Sequence, residues 1–89
     1  MRVLVVDDEP SIRESLRRGL VAGGWTVDTA PDGEIGLEMA CDEGYDVVVL
    51  DIMMPRRNGY EVVREMRGRE VWTPVLMLTA KDGEYDQAD

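Results

Sequence analysis

The sequence predicts an open, doubly wound α/β domain built on a parallel sheet. Short apolar segments alternate with stretches of helical period in the order βαβαβαβ. The first, third and fourth of these segments are continuous apolar runs rather than alternating ones, the pattern of strands covered on both faces. Acidic residues follow two of the strand ends, at Asp7-Asp8-Glu9 and at Asp51, on the carboxyl edge where such sheets bind ligands.

Each element has its own local justification. Val3 to Val6 is a β-branched run flanked by charge and forms the first strand. Ile12, Leu16 and Leu20 recur at helical spacing while Arg13, Glu14, Arg17 and Arg18 face the other way; Pro10 suits the first turn and Gly23-Gly24 the stop. The arginines of this helix are expected to form a solvated face, with a minor docking role at most. Trp25 to Thr29 is the second strand. Leu37, Ala40 and Cys41 share one side of a second helix opening near Asp32, although Gly33 and Gly36 each cost about 1 kcal/mol relative to Ala. Tyr45 to Leu50 is the third strand. Val62, Val63 and Met66 give the third helix its apolar side, from near Asn58 to Gly68, and Thr73 to Leu78 is the fourth strand. A polar tail runs from Ala80 to Asp89. Trp25 and Trp72 are expected to be packing residues, and Cys41 a buried small hydrophobe.

Composition narrows the chemistry. A chain of 89 residues has room for one domain. With 10 Lys and Arg against 19 Asp and Glu, a net charge of −9, it lacks the cations to hold a phosphate backbone, so direct nucleic-acid binding by this chain is not expected. The longest apolar runs are far too short to span a bilayer, and Arg2, four apolar residues and then Asp7-Asp8-Glu9 do not make a signal peptide. A cytoplasmic location without membrane association is expected. One cysteine and no histidine remove internal disulfides, the usual zinc sites and Ser-His or Cys-His pairs. Chemistry must run on carboxylates, hydroxyls and lysine.

Asp7, Asp8 and Asp51, with Thr79 after the fourth strand, converge on one edge of the expected sheet. Like charges so close repel, and a hard divalent ion is their natural occupant; Mg²⁺ takes oxygen ligands, commonly one or two carboxylates plus waters or phosphate oxygens. The plainer alternative for Asp7-Asp8 is a solvated turn capping the first helix. Placement opposite Asp51 favours the metal.

Three stretches, Val3-Leu4-Val5-Val6-Asp7-Asp8-Glu9-Pro10, Asp46 to Pro55 with Asn58-Gly59, and Pro74-Val75-Leu76-Met77-Leu78-Thr79-Ala80, resemble the receiver domain of bacterial two-component response regulators. The likeness runs in order along the whole chain and is closest to the branch joined to a winged-helix DNA-binding domain. It implies a flavodoxin-like fold with strand order 2-1-3-4, three helices, and a C-terminal tail or partial fourth helix. It further implies that Asp51 is the phosphoacceptor, served by a sensor histidine kinase. Asp8 and Asp51 would ligate Mg²⁺ directly, Asp7 mainly through a water, and the Met53 carbonyl would complete the protein's share. Thr79 would hydrogen-bond a phosphoryl oxygen, with the small Ala80 leaving room for it. Such a module accepts a phosphoryl group and is not an enzyme beyond weak self-phosphorylation and dephosphorylation.

Against the family's five βα units, residues 1–89 read as a receiver lacking the fifth strand and fifth helix, and with them the strand-five lysine and the aromatic partner of Thr79. Lys81 is expected to be a solvated loop residue rather than a substitute. The fourth strand would be an unpaired apolar edge and one sheet face would be bare, so a homodimer or other self-association is expected. A non-phosphorylated assembly module is therefore the second reading. A carboxylate-based Mg²⁺ phosphohydrolase is a weak third, because Met53 stands where such enzymes usually place a second Asp.

Overall fold

The computed structural model describes residues 1–78. Its elements are β1 (Arg2–Val6), α1 (Pro10–Ala22), β2 (Thr26–Ala30), α2 (Gly33–Asp42), β3 (Val47–Asp51), α3 (Gly59–Gly68) and β4 (Val75–Leu78). The four strands form one parallel sheet in the order β2-β1-β3-β4. This is the flavodoxin-like order expected from the sequence. Val6 stands opposite Ala30 on one side and Leu50 on the other, so the residues after β1 and at the end of β3 emerge side by side.

The two faces of the sheet are unequal. On the α2 and α3 side, Leu4, Val6, Val48 and Leu50 pack with Leu37, Ala40, Val62 and Met66 in a fully buried core. On the α1 side, among the described residues, only Val3, Val5 and Val49 are buried, backed by partly exposed Leu16, Leu20, Trp25 and Leu78. No residue of α1 itself is buried. Its Ile12, Leu16 and Leu20 do lie on one side, but each is only half covered.

Local chemistry sets the helix ends. Pro10 occupies the first turn of α1, and Gly24, at φ +97°, turns the chain into β2 in a conformation that side chains resist. The Asp32 carboxylate accepts from the Ile35 N–H at 2.8 Å at the start of α2. At α3, Asn58 and Glu61 cap each other reciprocally: Asn58 Oδ1 accepts from Glu61 N–H at 2.9 Å and Glu61 Oε1 from Asn58 N–H at 3.0 Å. The helix penalty of Gly36 has a packing reason. A Cβ there would sit 2.7 Å from Val6 Cγ1, so only glycine lets α2 approach β1 this closely.

Several expectations are corrected. Trp72 is 68% exposed rather than part of the core, its ring lying 5.9 Å from the Arg67 guanidinium carbon, while Val71 and Val75 pack against the core. Trp25 packs against the α1-side cluster as expected, while Cys41 is half-buried against the larger core rather than fully buried. β4 is not covered on both faces, since Leu76 is 59% exposed. The third strand begins at Val47, because the Tyr45 ring is used against the core and its hydroxyl donates to Asp28 at 2.8 Å. Thr79, Ala80, Lys81 and the rest of the tail lie outside the described residues. Among the described residues no helix is long and apolar enough to cross a membrane.

Candidate metal and phosphoacceptor site

β1 ends one residue before Asp7, and its neighbour β3 ends on Asp51, so the parallel register delivers both carboxylates to the same edge. Asp7 and Asp51 are each 1% exposed, and Asp8 is more open. One oxygen from each of Asp7, Asp8 and Asp51 lies within 4.8 Å of the others. Two unit charges about 4 Å apart repel by roughly 1 kcal/mol in water and about 4 kcal/mol near a protein surface. A divalent cation between them turns that repulsion into attraction.

The surrounding backbone fixes these side chains. Asp7 Oδ1 accepts from the Glu9 N–H at 2.9 Å, and the Asp7 N–H donates to the Ala30 carbonyl at 3.3 Å. Asp51 Oδ1 accepts from the Met53 N–H at 3.2 Å, which sets the rotation of that carboxylate. The Asp7-Asp8 turn does not cap α1 through a side chain: the cap position is Glu9, with no side-chain cap bond. Met53 projects to solvent, 61% exposed, while Met54 is buried in the core and anchors the loop.

The loop after β3 is held against two other elements. Gly59 opens α3 against the end of β3, where a Cβ would meet the Asp51 carbonyl oxygen at 2.8 Å and Ile52 Cα at 3.0 Å. Arg57 bridges Glu34 of α2 at 3.0 Å, and Gly33 of α2 lies so close that a Cβ would be 2.5 Å from the Arg57 carbonyl oxygen. Arg56, at φ +67°, lies 3.6 Å from Asp32. Arg56 and Arg57 carried no signal in the sequence; their spacing only acquires meaning once α2 is packed beside the loop.

The donor set suits Mg²⁺. Metal–oxygen distances of about 2.1 Å put two ligands on one ion at most about 4.2 Å apart. One carboxylate oxygen from each of the three residues, all within 4.8 Å of one another, gives a hard all-oxygen donor set close to that spacing. Of the sequence-predicted residues, the structure brings Asp7, Asp8 and Asp51 together and places Met53 two residues along the loop. Thr79 lies outside the described residues.

A four-stranded 2-1-3-4 sheet with an acidic cluster at the ends of β1 and β3 defines a flavodoxin-like receiver fold. Residues 3–89 match the response regulator receiver domain family, to which the chain belongs. It is 50% identical over 82 residues to the response regulator MprA of Mycobacterium ulcerans, covering 92% of this chain and 35% of that one. The transcriptional regulatory protein TcrA of Mycobacterium tuberculosis is 46% identical over 87 residues, covering 98% of this chain and 34% of its own. The chain thus spans about a third of the length of these curated relatives. Among solved structures, the receiver domain of a Francisella response regulator superposes with a TM-score of 0.86 at 33% identity, over 92% of this chain and 68% of that one. The response regulator TrrA of Thermotoga maritima, solved with Mg²⁺-BeF, gives 0.83 at 46% identity, over 89% of this chain and 69% of its own. The chain is a receiver domain of a two-component response regulator.

Proposed function

We propose that Asp51 accepts a phosphoryl group from the phosphohistidine of a sensor histidine kinase, in a Mg²⁺-dependent transfer at the Asp7-Asp8-Asp51 site of this cytoplasmic domain. The observation that carries this reading is the convergence of the three carboxylates around the buried end of β3. A bound Mg²⁺ supplies charge neutralisation at the equatorial phosphoryl oxygens. Asp8 and Asp51 would hold it directly, Asp7 through a water, with the Met53 carbonyl as the further ligand. The Asp51 carboxylate forms the new oxygen–phosphorus bond as the donor's nitrogen–phosphorus bond breaks. The electron pair stays on the imidazole nitrogen, which takes its proton from solvent. The Met53 N–H holds the acceptor carboxylate in position, and Thr79, next after β4, is assigned to a phosphoryl oxygen.

The test is incubation with acetyl phosphate and Mg²⁺, read by intact mass. The expected result is one added phosphoryl group that is absent from Asp51→Asn and dependent on the metal. Addition that persists in Asp51→Asn overturns the reading.

A second reading concerns the 89-residue chain alone. The exposed Trp72 and Leu76, beside a β4 that has no further strand partner among the described residues, favour self-association through the sheet edge or the thin α1 face. Sedimentation at tens of micromolar should give a dimer, and a well-folded monomer would refute it. Any link to transcription is likewise proposed, through the whole protein rather than through nucleic-acid contacts of this acidic chain.

A further inference from the structure

The three arginines of α1 do not behave alike. Arg17 and Arg18 both bridge Glu14 on the helix surface, at 2.6 Å and 3.5 Å. Arg13 makes no ion pair among the described residues. It reaches back from the first turn and donates from Nη1 to the Asp7 carbonyl oxygen at 2.7 Å, in a partly buried contact.

That carbonyl belongs to the peptide joining Asp7 to Asp8. With the Asp7 N–H on Ala30 and its Oδ1 on the Glu9 N–H, the Arg13 contact fixes the last backbone group that could rotate before Asp8. Turning this peptide plane would swing the Asp8 Cα, and its carboxylate with it, away from Asp51. We infer that Arg13 is a positioning residue of the metal site, holding the Asp7–Asp8 peptide so that the Asp8 carboxylate faces Asp51, an inference that rests on the Mg²⁺ reading above. It does this against its own charge. A guanidinium beside a divalent-cation site weakens cation binding by simple repulsion, so geometry and charge predict opposite signs when the side chain is neutralised.

The experiment measures Mn²⁺ affinity by electron paramagnetic resonance of the free ion, Mg²⁺ affinity by competition, and the melting temperature without metal. The proteins are wild type, Arg13→Met, Arg13→Lys, Arg17→Met and Asp8→Ala. Outer-shell partners typically contribute 10- to 100-fold in metal affinity; acting through one peptide, Arg13 is expected at the low end, so Arg13→Met should weaken binding about 10-fold. Arg13→Lys, which keeps a donor and the charge, should recover part of this. Arg17→Met, which loses only the Glu14 bridge, should bind as wild type. Unchanged or tighter binding in Arg13→Met overturns the inference, as does a lowered melting temperature with unchanged affinity, which would mark a purely structural role. If wild type and Asp8→Ala bind equally, the metal reading itself fails and the positioning role falls with it.

Discussion

Replacing Gly59 by alanine should destabilise the domain, although by local rules it should do the reverse. Gly59 is the first residue of α3, and only Gly24 among the described glycines has a positive φ, so alanine is conformationally acceptable there. On helix propensity alone the change would gain about 1 kcal/mol. The obstacle is space: the added Cβ would lie 2.8 Å from the Asp51 carbonyl oxygen, 3.0 Å from Ile52 Cα and 3.1 Å from Met77 Sδ. Two of these are backbone atoms at the end of β3 and its exit, which cannot rotate aside. Overpacking of this kind costs about 1–3 kcal/mol, and rigid neighbours put it at the upper end. The net is a loss of about 2 kcal/mol, or roughly 8–16 °C in melting temperature for a domain of this size. Thermal melts followed by circular dichroism would measure it. Gly19→Ala, in the middle of α1 with nothing within 4 Å of its added Cβ, is the control and should raise the melting temperature. A Gly59→Ala protein that melts at or above wild type would refute the packing argument.

Three further outcomes are expected. Tyr45 is pushed up to about 12 by burial and by its hydrogen bond to Asp28. Because the folded pKa is raised, its contribution, of order 3 kcal/mol, is complete below pH 10 and lost as pH rises toward 12. Stability against urea should fall in that window in wild type, and that part of the fall should be missing in Tyr45→Phe. Met66, with none of its surface exposed, should cost about 2–5 kcal/mol on truncation to alanine, whereas Leu76→Ser, on the exposed side of β4, should leave the melt nearly unchanged while reducing self-association in sedimentation. Lys81, the one lysine among the 89 residues, is expected not to serve the site, so uptake from acetyl phosphate should change little in Lys81→Ala; a loss of about 100-fold or more, the size expected for one lost donor at developing charge, would contradict this.

The parallel sheet and the acidic edge were legible because they depend on patterns that the chain displays locally, whereas the strand order came only with the family resemblance. β1 and β3 are runs of branched apolar residues ending in carboxylates, and parallel pairing of neighbours leaves little freedom in where Asp7 and Asp51 emerge. The start of α3 was equally open to reading, since Asn58 and Glu61 carry their cap within four residues of sequence. What was hidden depends on partners distant in sequence. Trp72 looked like a packing residue because its size is a local property, while in the fold Val71 and Val75 take the core contacts and the Trp72 ring lies beside Arg67. Arg13 looked like part of a charged helix face, yet the helix start brings it within reach of a carbonyl. The glycines of α2 read as weaknesses, and only the nearness of Val6 and Arg57 explains them.

The unequal covering of the two sheet faces also sorts the molecule by how readily its parts open. Amide protons of β1, β3 and α3, whose side chains close the larger core, should exchange slowly with solvent, and those of α1, which buries no residue, quickly. The acidic site straddles that boundary. Asp51 rides on the slow-exchanging slab, whereas Asp8 leads into the fast-exchanging helix through the turn at Glu9. A cation shared by the two carboxylates would therefore stitch the soft half of the domain to the firm half, and its binding should register as added protection along α1, well away from the ion itself.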